Sequence, residues 1–380
     1  MTAIERSLDL KKLLAGKSYF LLGPRQTGKS YLIKHTLKNV KIYNLLHRDT
    51  FLRLNHDQTL IRKELTDNDK IVVIDEIQKI PELLDEVQSI IDDQGVIFLL
   101  TGSSARKLQK TGANFLGGRA RIQYFHPLTA QELKSKFDLN LVVNRGLLPS
   151  IYFSEDPDSD LNGYIALYLD QEIAREGLVR NLPAFSRFLE VAALCNAEQV
   201  DFTAVANDAQ VKRTTVHEYF QILKDTLVVS ELPAWQETKK RKPVATPKFY
   251  FFDWGVAKSL QGIGKIKIGS PLFGKAFETY IFHELKTYCD YNRSHKLHYW
   301  RTHQQHEVDF ILDGRIAIEV KSSSTISKKD ISGLLALMEE NLIEQYFILY
   351  TGEKDQHLDT ERKIKAVNYL KFITKILPKL

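Results

Sequence analysis

The chain has almost no cysteine: two in 380 residues, Cys195 and Cys289, far apart and both in stretches that read as helix. That excludes a disulfide framework and a cysteine-built metal site, and it fits a reducing compartment. Long apolar runs are missing too. The longest, such as Val96–Leu100 and Phe249–Phe252, are far too short to span a bilayer, so no membrane partner is expected. Glu5, Arg6 and Asp9 come too early for a signal peptide, and a cytoplasmic location is the expectation. A strong excess of either sign is missing: 53 basic against 47 acidic residues leave a net +6, compatible with nucleic acid but no argument for it. There is no internal repeat and no low-complexity tract. What remains is ordinary soluble composition, 43% hydrophobic and 26% charged, at a length that suits two or three domains.

The first third alternates short apolar runs with polar helical stretches, the pattern of an α/β domain with a parallel sheet. Its expected strands are Ser18–Leu22, Lys41–Leu45, Ile71–Ile74, Val96–Leu100 and Arg121–Phe125. From about Ala130 to Leu232 the spacing turns helical, notably in Leu161–Ile173 and Phe185–Leu194. A basic run, Lys239-Lys-Arg-Lys-Pro243, reads as a loop or linker. Beyond it lie an expected strand at Lys248–Phe252, a helix at Gly274–Asp290, three strands over 296–321 and another at Tyr346–Thr351. The Lys-rich end reads as helix.

The most informative stretch is Gly23-Pro24-Arg25-Gln26-Thr27-Gly28-Lys29-Ser30, which fits the phosphate-loop pattern between an apolar strand and a helix. Glycines there let backbone N–H groups close around phosphates, and the helix N-terminus favours anions. Lys29 is expected on the β- and γ-phosphates of ATP, and Ser30 in the Mg²⁺ shell. A Gly-rich turn that merely caps a helix does not need Lys followed by Ser. Ile71–Ile74 runs into Asp75 and Glu76. Asp75 at that strand tip would orient the Mg²⁺ waters, and Glu76 would act as general base on the attacking water. A helix-capping acid pair is the plainer alternative.

The next strand ends in Thr101-Gly102-Ser103-Ser104, at the sheet edge where ligands sit in open parallel sheets. Thr101 or Ser103 could sense the γ-phosphate, or simply cap the strand end. Arg119, in Gly117-Gly-Arg-Ala120, could reach the nucleotide of a neighbouring copy, which would make a homo-oligomer a partner. It could equally be a surface ion-pairing residue; Arg25 and Arg106 are further arginines of this kind. A small-molecule kinase is disfavoured, because no short insertion with clustered arginines stands out.

Asp201–Leu223 reads as two helices around a tight turn, with Ala206, Val211, Val216 and Phe220 at the inward positions. Lys212, Arg213 and Thr214 would open the second helix, where a recognition helix meets DNA, and Leu227–Leu232 could form a wing. Many such units only pack against partners. Near the C-terminus stand Glu278, Asp309, Glu319 and Lys321. Alternation puts Glu319 and Lys321 on one face of a strand, and a hairpin at Asp313-Gly314 would bring Asp309 alongside. Carboxylates of Asp309 and Glu319, with Glu278 as a further one, could hold Mg²⁺ while Lys321 orients water for attack on a phosphodiester. An exposed acid–lysine hairpin is the bland alternative.

Gly23–Ser30, Ile71–Gln78 with its Asp-Glu-Ile-Gln, and Leu100–Ser104 resemble the AAA-type core of a prokaryotic ATPase family. Phe277–Leu285, Tyr299–Arg301, Glu307–Phe310 and Ile318–Ser323 resemble the C-terminal domain of many of its members, of uncharacterised role. That domain is in turn similar to the PD-(D/E)xK restriction-endonuclease-like superfamily. No Pro-Asp pair precedes Glu319, so the match rests on the acids and the lysine. The resemblance implies an AAA-type P-loop core over 1–130, a helical and winged-helix-like region over 131–238, and a restriction-endonuclease-like α/β domain over 239–380. It implies a Mg²⁺-dependent ATP-binding and hydrolysing protein whose C-terminal domain binds DNA and could cleave it. The rival reading is an ATP-gated interaction switch that does not cut.

Overall fold

The computed structural model describes residues 4–104, 115–174, 177–292, 295–358 and 363–380. The chain forms two compact units. One holds the chain up to Pro127 together with Asp225–Val228; the other holds Leu128–Lys224 and Val229–Leu380.

In the first unit, five parallel strands are β1 (Ser18–Leu22), β2 (Lys41–Asn44), β3 (Ile71–Asp75), β4 (Ile97–Gly102) and β5 (Ala120–Tyr124). Their order across the sheet is β2-β3-β4-β1-β5. Every residue of β1 is buried, as expected of a central parallel strand covered on both faces. Phe20, Val72, Ile74, Phe98 and Leu100 pack with Leu83, Val87 and Ile90 of the helix Leu83–Gln94 into one core. Because β4 lies between β1 and β3, its C-terminal end separates the phosphate loop from Asp75. Gly23 is required where the chain leaves β1: a Cβ there would collide with the Phe125 carbonyl.

In the second unit, Leu182–Leu194, Phe202–Asp208 and Arg213–Asp225 are helices. Strands β6 (Glu198–Gln199), β7 (Val229–Leu232) and β8 (Lys248–Phe251) form an antiparallel sheet in the order β6-β8-β7. Phe188 and Phe220 meet edge to face at 5.1 Å, and Phe185 meets Tyr219 at 5.0 Å, so an aromatic cluster joins the first and third helices. The helix Pro271–Asn292 then leads into a six-stranded mixed sheet. It comprises β9 (Leu297–Arg301), β10 (Glu307–Leu312), β11 (Ile316–Lys321), β12 (Gln345–Tyr350), β13 (Gln356–His357) and β14 (Ile364–Asn368).

Strands β9, β10 and β11 are antiparallel neighbours, whereas β11, β12 and β14 run parallel. The loop between β7 and β8 runs along β9. Trp235 N donates to Tyr299 O at 2.7 Å and Val244 N to Arg301 O at 2.8 Å, and Trp235 sinks into the core around Trp300, Leu334 and Ile348. This covers what would otherwise be an open sheet edge.

Candidate functional sites

The phosphate loop takes its shape from left-handed backbone at Gln26 and Gly28, with φ of 60° and 96°. Thr27 is fully buried and its Oγ1 donates to Pro24 O at 2.9 Å, while Arg6 Nη1 donates to Thr27 O at 2.7 Å. The Lys29 ammonium is 7% exposed and donates to Gly23 O at 2.6 Å and Pro24 O at 3.0 Å. It thus lies folded over the loop, within the concavity that phosphates would fill.

Ser30 Oγ donates to Asp75 Oδ2 at 2.9 Å, and Thr101 Oγ1 donates to the other oxygen of Asp75. Ser30 and Asp75 therefore present oxygens side by side, a donor set suited to Mg²⁺ with its waters. Thr101 also accepts from Glu76 N at 3.1 Å, so one hydroxyl on β4 fixes both acids. Glu76 sits in left-handed backbone, φ 65°, which turns its half-buried side chain away from the strand direction. Burial raises its pKa, opposed by the positive charges of Lys29 and Arg25.

One participant escaped the sequence reading. Gln78 Nε2 donates to the Glu76 carboxylate and, at 3.3 Å, to Ser103 Oγ, tying the general-base candidate to β4. The Gln78 Oε1 is buried without a hydrogen-bond partner. A Cβ at Gly102 would lie 2.7 Å from that oxygen, so glycine there makes room for the amide. The sequence carried Gln78 only as the end of the Asp-Glu-Ile-Gln stretch, two residues after Glu76, with no role assigned to it. Arg119 Nε pairs with Asp92 Oδ1 of the same chain at 2.6 Å. Arg106 lies outside the described residues.

The second-unit cluster assembles as the hairpin predicts. Phe310 pairs with Ile318, which sets Asp309 alongside Glu319, and Asp309 Oδ2 accepts from Val320 N at 2.7 Å. Lys321 Nζ donates to Glu319 Oε1 at 2.8 Å, while Glu319 Oε2 is buried with no partner. Glu278 comes in from the long helix and accepts from Tyr250 OH at 2.7 Å. The residue sequence reasoning missed is Lys248, the first of β8. Its ammonium is buried, 2.6 Å from Glu307 Oε1 and 3.4 Å from Glu278 Oε1.

Burial works against that charge, but Glu278, Asp309 and Glu307 outweigh it and raise the lysine's pKa. Burial, then Glu319 and Glu278, drive the Asp309 pKa well up; burial pushes Glu319 up to about 7 against the pull of Lys321. Among the described residues, no three His, Cys, Asp or Glu side chains are arranged to hold a metal ion. Asp309 and Glu319 lie side by side, with Lys321 on Glu319 and Lys248 on Glu278 and Glu307.

On the helix Arg213–Asp225, Arg213, Thr214, His217 and Gln221 are exposed, as is Lys212 in the turn before it, whereas Val216, Phe220 and Leu223 are buried. The basic run is no free linker. The N–H groups of Lys239, Lys240 and Arg241 all donate to the Glu340 carboxylate at 3.0 Å, and Arg241 Nη2 pairs with Glu339 at 2.6 Å.

Loop, strand order and strand tips define the first unit as a P-loop ATPase core. Residues 15–134 match the family model described as an AAA domain, so the core is of AAA type. Residues 136–267 and 273–372 match two domains of unknown function, DUF8612 and DUF4143. An uncharacterized protein of Mycobacterium tuberculosis is 28% identical over 346 residues, covering 88% of this chain and 76% of the relative. One of Methanocaldococcus jannaschii is 22% identical over 351 residues, covering 82% and 75%. The solved structure of the Aeropyrum pernix ORC1 protein in complex with DNA aligns over 69% of this chain and 93% of that one, at 14% identity. Its TM-score of 0.29 carries no argument about this chain. No helix among the described residues is long and apolar enough to cross a membrane.

Proposed function

We propose that the protein binds and hydrolyses ATP with Mg²⁺ and uses the cycle to gate the second unit's hold on DNA. The observation that carries the ATPase part is the Ser30–Asp75–Thr101–Glu76 network, in which one strand-end hydroxyl positions both acids beside the phosphate loop. Mg²⁺ would be held by Ser30 Oγ and waters on Asp75, and would neutralise charge developing on the γ-phosphate. Lys29 binds the phosphates; Glu76 takes the proton of the attacking water.

Support for DNA is the winged-helix order of the second unit: helix, strand, two helices around a tight turn, then two strands with a basic loop between them. Lys212 in the turn, and Arg213 and Thr214 at the start of the helix Arg213–Asp225, are exposed. The sheet beyond it is read as restriction-endonuclease-like from its acid–lysine hairpin. A second reading, a switch that does not cut, is favoured by the Lys321–Glu319 and Lys248–Glu278 ion pairs, which engage the carboxylates a metal would need.

Lys29→Ala tests the assignment. ATP turnover should fall to background, about 1000-fold or more if transition-state contacts to the γ-phosphate are lost. Undiminished hydrolysis in that variant would sink it. Incubating the wild type with duplex and single-stranded DNA, Mg²⁺ or Mn²⁺, and ATP decides between the readings: cleavage lost in Lys321→Ala favours the nuclease, retarded but intact DNA the switch.

A further inference from the structure

Four carboxyl groups converge where the long helix meets the β10–β11 hairpin: Glu278, Glu307, Asp309 and Glu319. A carboxylate cluster of this size ordinarily calls for a cation from solution. Here the chain supplies its own. Lys248 reaches Glu307 at 2.6 Å and Glu278 at 3.4 Å, Lys321 reaches Glu319 at 2.8 Å, and Arg301 lies 3.5 Å from Glu307. Lys248 enters from β8, a strand of the other sheet, and its side chain is 5% exposed. An ammonium that deeply buried is held by its partners and does not swing aside into solvent.

We propose that Lys248 is the resident cation of this cluster and excludes divalent metal from it. The lysine bridges the helix carboxylate Glu278 and Glu307 at the start of β10, and its charge also acts on Asp309. Its fixed charge repels a second cation there, and a monovalent ammonium satisfies carboxylates without activating water. Metal-dependent chemistry that needs Glu278 beside the hairpin acids is thereby blocked by a residue outside the hairpin motif itself.

The inference deepens the non-cutting reading but fails separately from it. Mn²⁺ binding to the nucleotide-free full chain is measured by calorimetry for wild type, Glu319→Gln, Lys248→Met and the double variant. Wild type and Glu319→Gln should bind the same number of ions. Lys248→Met should bind one more, at least ~100-fold more tightly than any cluster binding by wild type, because one positive charge is gone from contact distance. The double variant should lose that ion. An ion bound by wild type and missing from Glu319→Gln overturns the proposal, as does a folded Lys248→Met that gains none. If Lys248→Met does not fold, Lys248→Gln, which keeps a polar group there without the charge, takes its place in the same comparison. Cleavage by a wild type that binds no cluster ion would defeat the non-cutting reading and leave the lysine's role intact.

Discussion

The Gln78 amide determines how Glu76 can work. By donating to the carboxylate it favours the ionised form that a general base needs, against the burial that disfavours it. Removing the amide should therefore raise the Glu76 pKa further. Gln78→Ala is expected to move the acid limb of the pH–kcat profile to higher pH and lower kcat at neutral pH by roughly 10-fold. An unmoved limb would mean Gln78 is only a strand-end spacer. Glu319 makes the opposite kind of statement, about stability. Its carboxyl is raised from about 4.5 unfolded to about 7 folded, so the folded state holds the proton more tightly. Its favourable contribution is complete below pH 4.5 and is lost as pH rises through 7. Glu319→Gln should flatten the fall in melting temperature between pH 5 and 8; an unchanged slope would put the titration elsewhere.

Residues of this kind show why legibility was uneven. Gly23–Ser30, Asp75 and Glu76 could be read because backbone geometry at a strand tip dictates residue type at fixed spacing. Lys248 could not, because its partners are 30 and 59 positions away and only the fold brings them together.

At the scale of elements, the basic run Lys239–Lys242 shows how misleading composition is without partners. It reads as a solvated linker, but three successive N–H groups form a concavity that holds the Glu340 carboxylate, 1% exposed at its side chain. The loop is thereby fastened to the end of the helix Ser332–Met338. Glu340→Ala leaves those donors unpaired and should cost about 1–3 kcal/mol of stability. It should also open Lys239–Lys242 to trypsin at temperatures where the wild type resists; equal cleavage rates would show that the loop is held by Trp235 alone. Buried strands were legible because parallel strands covered on both faces are continuous apolar runs, as in β1, β3 and β4. Strand β14 was not. Ile364, Ala366 and Val367 are buried but Lys365 is exposed, and five residues beside a charged stretch leave too short an alternation to stand out.

For the whole molecule, the path of the chain matters more than any single site. The chain leaves the second unit at Asp225, contributes Asp225–Val228 to the first, and returns as β7. Leu227, in left-handed backbone at φ 60°, packs against the ATPase core, and Ser104 Oγ, two residues beyond β4, donates to Asp225 O at 3.1 Å. Ser104, just past the strand that carries Thr101, thus holds the backbone of the segment 225–228 within the first unit. If the proposed gate operates, the segment 225–228, where the chain passes from one unit to the other, is its path. Two compact units should melt in two transitions. In a Glu76→Gln protein that binds without turnover, MgATP at 100 times its Kd stabilises the binding unit by about 2.7 kcal/mol. If the gate is real, the second transition shifts as well, and Leu227→Ala returns it to its nucleotide-free position while the first still moves. A second transition indifferent to MgATP in the unaltered hook would leave an ATPase core with no hold on the rest of the chain.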